Sequence, residues 1–282
     1  MSPPPHDPVG EWWRVQVAAL HRWGRLVLRD EEDSVHQMRV TARRLRSVLA
    51  TYRPLLESEG TEPVRHELKW LAELLGEVRD AEVLRGRLRR WTAEHGPAPS
   101  GIDALRAVLV KRRADGRDRL LPELEGERYR ALVAGLAASD GFPWSAGPPS
   151  DKTLRKHVRR DWRGLVAAID KAAATKNTAR RREQLHEARK RAKRTRYSAE
   201  ALRDAHGKDA ERLIRATRSI QSTLGDLNDA VVMIGTIQER PQHDEALRRL
   251  MTAEEAAARA AEERFPPVWK KANRPKVFGW LG

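Results

Sequence analysis

Apolar residues recur every three to four positions along most of this chain, and no convincing strand-like alternation interrupts them. Met38, Ala42, Leu45, Leu49 and Tyr52 fall on one side of a helical wheel, and Leu71, Leu74, Leu75 and Val78 do so again. That period is the mark of helices with one buried face. The spacing predicts helices over residues 9–29, 34–57, 62–95, 101–113, 123–139, 151–174, 179–206, 208–239 and 242–264. Breakers support the boundaries: Gly60–Thr61, the stretch from Gly96 to Gly101 with Pro97 and Pro99, Gly207, and Pro241. The segment 139–150 (SDGFPWSAGPPS) reads as the one clear linker and divides the chain nearly in half. Short connections elsewhere make neighbouring helices antiparallel. The expected architecture is all-α: a first helical bundle over residues 9–140, a linker at 141–150, and a second bundle over 151–265. Residues 266–282, rich in prolines and basic side chains, read as an irregular tail.

The two halves resemble each other. His36-Gln-Met-Arg39-Val-Thr-Ala42-Arg43-Arg44-Leu-Arg46 aligns with His186-Glu-Ala-Arg189-Lys-Arg-Ala192-Lys193-Arg194-Thr-Arg196 at an offset of 150. Leu75-Gly76-Glu-Val-Arg-Asp80-Ala81-Glu-Val83 aligns with Leu224-Gly225-Asp-Leu-Asn-Asp229-Ala230-Val-Val232 at an offset of 149. Two separate matches at nearly one offset predict an internal duplication.

Charge adds a partner to this picture. The formal balance is +15, and Arg outnumbers Lys 43 to 12. A coding bias towards Arg would swap one cation for another without creating net charge, so the excess points to anionic partners. Cysteine is absent, which removes disulfides, thiolate metal sites and cysteine nucleophiles. The first residues lack the basic-then-apolar order of a signal peptide, and the longest uncharged helical stretches, 131–139 and 230–238, are half a membrane span. A soluble, cytoplasmic protein is expected.

The charge is patterned. At 100° per residue His36, Arg39, Arg43 and Arg46 share an arc of about 80°, opposite the apolar face, and make a ridge roughly 15 Å long. His186, Arg189, Lys193 and Arg196 repeat the ridge, joined by Lys190 and Arg182. A solvated face usually mixes signs at i,i+4; these arcs carry no acid, and the repulsion is tolerable when an anion sits among the arginines. Guanidinium offers a planar fork for two phosphate oxygens, Lys a point charge, and His a donor that strengthens on protonation. No glycine-rich phosphate loop accompanies them, so recognition would be by rows of side chains. On the second motif's helix, Gly76 and Asp80 share a stripe with Lys69 and Arg65, and Gly225 and Asp229 lie with Arg218. A glycine inside a helix suits close packing, and an Asp one turn later suits holding an arginine of the neighbouring basic helix. Lys69 and Arg218 are added as candidate anion contacts.

At these residues the sequence resembles a CHAD domain, an α-helical family whose two signatures, a His-x-x-Arg-x-x-x-Arg/Lys-Arg-x-Arg helix and a following Leu-Gly-x-x-x-Asp helix, each occur twice. The resemblance covers about residues 9–265 and implies two four-helix-type bundles related by a pseudo-twofold, whose basic helices line a shared groove or pore for inorganic polyphosphate. It makes His36, Arg39, Arg43 and Arg46, with His186, Arg189, Lys193 and Arg196, the ligand contacts. Thr195 stands where Leu45 does, and Asn228 where Arg79 does, which leaves Arg79 less firmly in the set. The Glu-x-Glu-x-Lys signature of the triphosphate-tunnel domain often fused to such proteins is missing, the nearest run being Glu123-Leu-Glu125-Gly-Glu127; the chain resembles the stand-alone form. The resemblance implies non-catalytic binding, no cofactor, and a place at polyphosphate granules.

Two other readings compete. His36 and His186 could share a metal with Asp80 or Asp229 in a phosphohydrolase, but no His pair stands at ligand spacing and arginines repel a cation. RNA would also satisfy the charge, yet single-strand readers need exposed aromatics. Trp23, Trp70 and Trp162 sit at core-like positions, and only Trp269 and Trp280, beside Lys270, Lys271 and Lys276, are candidates for stacking.

Overall fold

A computed structural model describes residues 6–96, 100–138, 141–240 and 244–282. Pro97, Pro99, Pro241 and the first two residues of the expected linker, 139–140, lie outside the described residues. Within them the chain is all-α. The helices are α1 (Pro8–Leu28), α2 (Ser34–Tyr52), α3 (Ser58–His95), α4 (Ser100–Glu125), α5 (Glu127–Ala138), α6 (Asp151–Ala173), α7 (Thr178–Glu200), α8 (Arg203–Gln238), α9 (Glu245–Ala272) and α10 (Pro275–Phe278), with short 3-10 turns at Arg53–Leu55 and Gly279–Leu281.

Several starts follow from side-chain oxygens that take up free amides. Asp7 accepts from the Gly10 amide at 2.9 Å ahead of α1, where Pro8 stands at the first helical position. Ser150, Asn177 and Asp244 cap α6, α7 and α9 in the same way. Asp244 also accepts from the Gly101 amide at 2.8 Å, tying the start of α9 to the start of α4. Gly207, expected as a break, is a non-helical residue (φ 47°, ψ −118°) that kinks α8. Pro54 closes α2 into the 3-10 turn, so α3 begins at Ser58 and takes Gly60 and Thr61 into its first turns.

The expected gap between residues 113 and 123 does not exist, because α4 runs unbroken to Glu125. Gly116 lies within that stretch. It is buried against α3, where a Cβ would lie 3.2 Å from Val78 Cγ2, so it marks a close helix crossing rather than a stop. The tail also differs from expectation. Helix α9 continues through Pro266 and Pro267 to Ala272, and the chain then folds back as α10. Interior prolines cost a helix bonds, but burial offsets the loss: Trp162 meets Phe278 with ring centroids 5.3 Å apart and Trp269 at 5.7 Å. Trp280 packs on His206, and its carbonyl accepts from Arg155 at 2.7 Å. Both tail tryptophans are therefore engaged with the α6–α8 side.

Consecutive helices pack as neighbours from α1 to α4 and from α6 to α9, and α2 crosses α7 between the two sets. One apolar core runs continuously from Val9 and Trp13 of α1 to Phe265 of α9. A smaller core lies where the ends of α3 and α4 meet α8 and α9, around Leu88, Ile102, Met233, Ile237 and Leu250. The segment between the halves is no loose spacer. Phe142 and Trp144 are buried against Trp13 and Tyr52, the Trp144 indole donates to Asp7 at 2.9 Å, and the Ser145 amide donates to the Leu55 carbonyl at 3.0 Å.

Candidate polyanion-binding site

The basic rows of α2 and α7 face each other. Between them opens a cavity of about 770 Å³ to which α3 and α6 also contribute. Its wall carries nine basic side chains against three carboxylates, Glu62, Asp161 and Glu187. The ridges are thus not solvated faces, in keeping with the absence of acids on their arcs. Each covers the other, and Lys193 is only 8 % exposed. Burial and the nearby guanidiniums of Arg43, Arg189 and Arg39 push the Lys193 ammonium down to about 5, against which Asp229 acts weakly. Arg43 is lowered to about 10 by burial, with Arg39, Arg189 and Arg46 adding repulsion, and so keeps its charge at neutral pH. Arg46 and Arg189 are lowered in the same direction, burial again leading. A cluster this concentrated lacks counter-charge. Three of its donors, Arg39 Nε, Arg65 Nε and Arg189 Nε, are buried without a hydrogen-bond partner.

The Leu-Gly-x-x-x-Asp helices seat these arginines. The Arg39 guanidinium lies across Gly76, where a Cβ would stand 3.1 Å from Nη2, and donates to Asp80 Oδ1 at 2.7 Å. Arg189 lies across Gly225, where the corresponding distance is 3.4 Å, and is drawn towards Asp229. The two glycines make room for side chains of the basic helices, and Asp80 aims one of them. Around the cavity floor, Asp161 of α6, 8 % exposed, pairs with Arg194 at 3.1 Å and accepts from the Thr51 hydroxyl, while Arg160 donates to the Thr51 carbonyl at 2.6 Å. Glu200 holds Arg44 at 3.0 Å and Arg196 at 3.5 Å, clamping α2 to α7 from the far side.

The CHAD domain family model matches residues 12–238 of this chain. The chain belongs to the CHAD domain family. The uncharacterized protein Rv2226 of Mycobacterium tuberculosis is 34% identical over 244 residues, which is 81% of this chain and 44% of the relative; the chain thus spans a little under half the length of the curated relatives it matches. Among solved structures, PptA from Streptomyces chartreusis superposes with a TM-score of 0.76 at 21% identity, covering 95% of this chain and 100% of that one. The CHAD domain from the plant Ricinus communis gives 0.65 at 23% identity, covering 92% and 88%. These likenesses carry the all-α fold.

Within this CHAD fold the residues singled out from the sequence separate into groups. Arg43, Arg46, Lys69, Lys190 and Lys193 line the cavity. Arg39 and Arg189 stand beside it, close enough to repel the Lys193 charge. The histidines flank the cluster at separate places. His186 Nδ1 meets Asn228 Oδ1 at 2.6 Å, whereas His36 is surrounded by Arg79, Asp33, Arg39 and Glu82. Both imidazoles are lowered from the usual value, by burial first and by the neighbouring cations next. Among the described residues no group of three or more His, Asp or Glu is arranged to hold a metal ion. Arg196 is turned to Glu200, Arg79 to Glu82 at 3.3 Å, and Arg218 is exposed on α8; none of the three lines the cavity. The wall adds basic residues not chosen as ligand contacts: Arg65 and His66 of α3, Arg160 of α6, and Arg191 and Arg194 of α7, of which Arg194 stands in the repeated motif itself. Arg65 had a signal, since it shares a helical stripe with Lys69. Arg160 had none, because its helix carries no motif and its role arises only where α6 crosses Thr51.

Proposed function

We propose that this protein binds inorganic polyphosphate in the α2–α7 cavity without cleaving it. The observation that carries the reading is the pairing of two basic helices around one opening, with arginine donors left unsatisfied at its wall (Arg65) and beside it (Arg39, Arg189). Unpaired buried donors are costly, and phosphate oxygens are the acceptors their geometry suits. A chain of phosphates would supply compensating charge along the whole wall, where a single small anion would meet only part of it. RNA offers the same charge but gains its extra affinity by stacking. Tyr197 on the cavity wall is buried under the Arg196 guanidinium, and Trp269 and Trp280 pack within the fold.

The test compares two variants of equal charge. Replacing Arg43, Arg46, Lys69 and Lys190 with Ala strips the cavity wall; replacing Arg249, Arg259, Lys270 and Lys271 strips exposed positions on α9. The first should lose at least about a hundredfold in polyphosphate affinity, and the second should bind nearly as the parent does, since charge away from the contact adds only long-range steering. Parent affinity should fall by orders of magnitude between about 50 and 200 mM salt. Recovered polyphosphate should keep its length. Equal losses in the two variants, a salt-independent affinity, or shortened chains would overturn the reading, and RNA that outcompetes polyphosphate would replace it.

A further inference from the structure

The cavity holds three lysines, and they are not alike. Lys190 pairs with Glu187, and Lys69 with Glu73 at 3.7 Å; both are exposed. An ammonium held in an ion pair has no lone pair to give. Lys193 is buried and forms no ion pair among the described residues. The charged groups around it are Arg39 and Arg43 from α2, Arg189 from its own helix and Asp229 from α8, three cations to one acid. We infer that Lys193 is a covalent docking point for phosphate-bearing aldehydes, its amine joining the carbonyl carbon as a reversible imine while the neighbouring guanidiniums hold the phosphate. The phosphate half of this rests on the anion-binding reading of the cavity; the amine half does not.

The chemistry balances without a redox partner. The Lys193 Nζ lone pair attacks the aldehyde carbon, the C=O bond becomes C=N, and the oxygen leaves as water with protons from the amine and from solvent. The step needs a neutral amine, and an amine beside other cations in a desolvated pocket is the arrangement that provides one. With its ammonium pushed down to about 5, Lys193 carries a free lone pair across the neutral range. The same guanidiniums that expel its proton attract a phosphate, so one cluster both activates the nucleophile and anchors the electrophile. A cavity of about 770 Å³ has room for a small phosphorylated aldehyde, and one bound there would obstruct a polyanion's path past Arg43 and Arg46.

The experiment uses the full native chain and pyridoxal 5'-phosphate as probe. After incubation at neutral pH, borohydride fixes any imine as a secondary amine, and peptide mass spectrometry reads the label at each of the 12 lysines. Lys193 should carry at least about tenfold more label than Lys190 or Lys69. Pyridoxal, which lacks the phosphate, should label Lys193 about tenfold less, and excess long-chain polyphosphate should suppress the labelling. Label spread evenly over the lysines, an unmodified Lys193, or pyridoxal acting as well as its phosphate would overturn the inference. Polyphosphate affinity measured on the same preparation separates the two claims. Salt-sensitive polyphosphate binding with an unlabelled Lys193 would sink this inference alone, while absent polyphosphate binding would sink the functional reading whatever the label shows.

Discussion

Polyphosphate binding should be coupled to the uptake of a proton at Lys193. In the empty cavity burial and three arginines hold its ammonium near 5, so above pH 6 the side chain is neutral. A polyanion brings the opposite charge and restores the protonated form, raising the value towards the ordinary lysine range near about 10.4. Because the bound state then holds one more proton than the free state, affinity must fall as pH rises. Between pH 7.5 and 8.5 the expected loss is about tenfold, equivalent to about 1.4 kcal/mol. That window is chosen for its neighbours. His36 and His186, both lowered, are neutral there in the empty site, and Arg43, at about 10, remains charged. Calorimetry with long-chain polyphosphate in two buffers of different ionisation enthalpy should register close to one proton per cavity; long chains keep the titration of terminal phosphates small. The variant Lys193→Met keeps the side chain's length and removes the titration, so its affinity should be flat across the window. A parent affinity that does not change, or a Lys193→Met slope equal to the parent's, would refute the argument.

Two further outcomes follow from the packing around the site. Gly76→Ala should raise helix propensity by up to about 1 kcal/mol while crowding the Arg39 guanidinium, so thermal stability should hold while polyphosphate affinity drops, and more than in Gly225→Ala, where the gap is wider. Asp161→Ala leaves the part-exposed Arg194 without its carboxylate and the Thr51 hydroxyl without its acceptor, so urea unfolding should show a loss of about 1–2 kcal/mol; an unchanged midpoint would mean that the pair does not brace the cavity floor.

How far the sequence foretold this depends on what each residue answers to. Local rules governed the helix starts at Asp7, Ser150, Asn177 and Asp244, and local pattern sufficed for most helices. It failed between residues 113 and 123, where α4 runs unbroken past Gly116, a glycine that lets α4 pack closely on α3. It failed again at Pro266 and Pro267, where burial of Trp269 and Phe278 outweighs backbone preference. The motifs gave five wall residues, Arg43, Arg46, Lys69, Lys190 and Lys193, since each lies on a repeated helical stripe. They missed Arg160, whose place depends on how α6 meets α2, and Arg194, though inside the motif, was not picked out as a wall residue. They placed Lys193 in the shared groove but gave no sign of how deeply it is buried. The helical wheel put it on a polar face, and only the opposing ridge makes that face an interior.

The segment between the halves has a mechanical consequence. Composition marks residues 141–150 as the natural place to divide the chain, yet Phe142 and Trp144 fasten that stretch to Trp13, Tyr52 and Asp7. The least neutralised contact lies elsewhere, around the cavity between α2 and α7, where cation faces cation while Glu200 and the shared apolar core hold the two helices together. A bound phosphate chain would add counter-charge to the one stretch of that contact that lacks it, and so would fasten the two halves to each other from within.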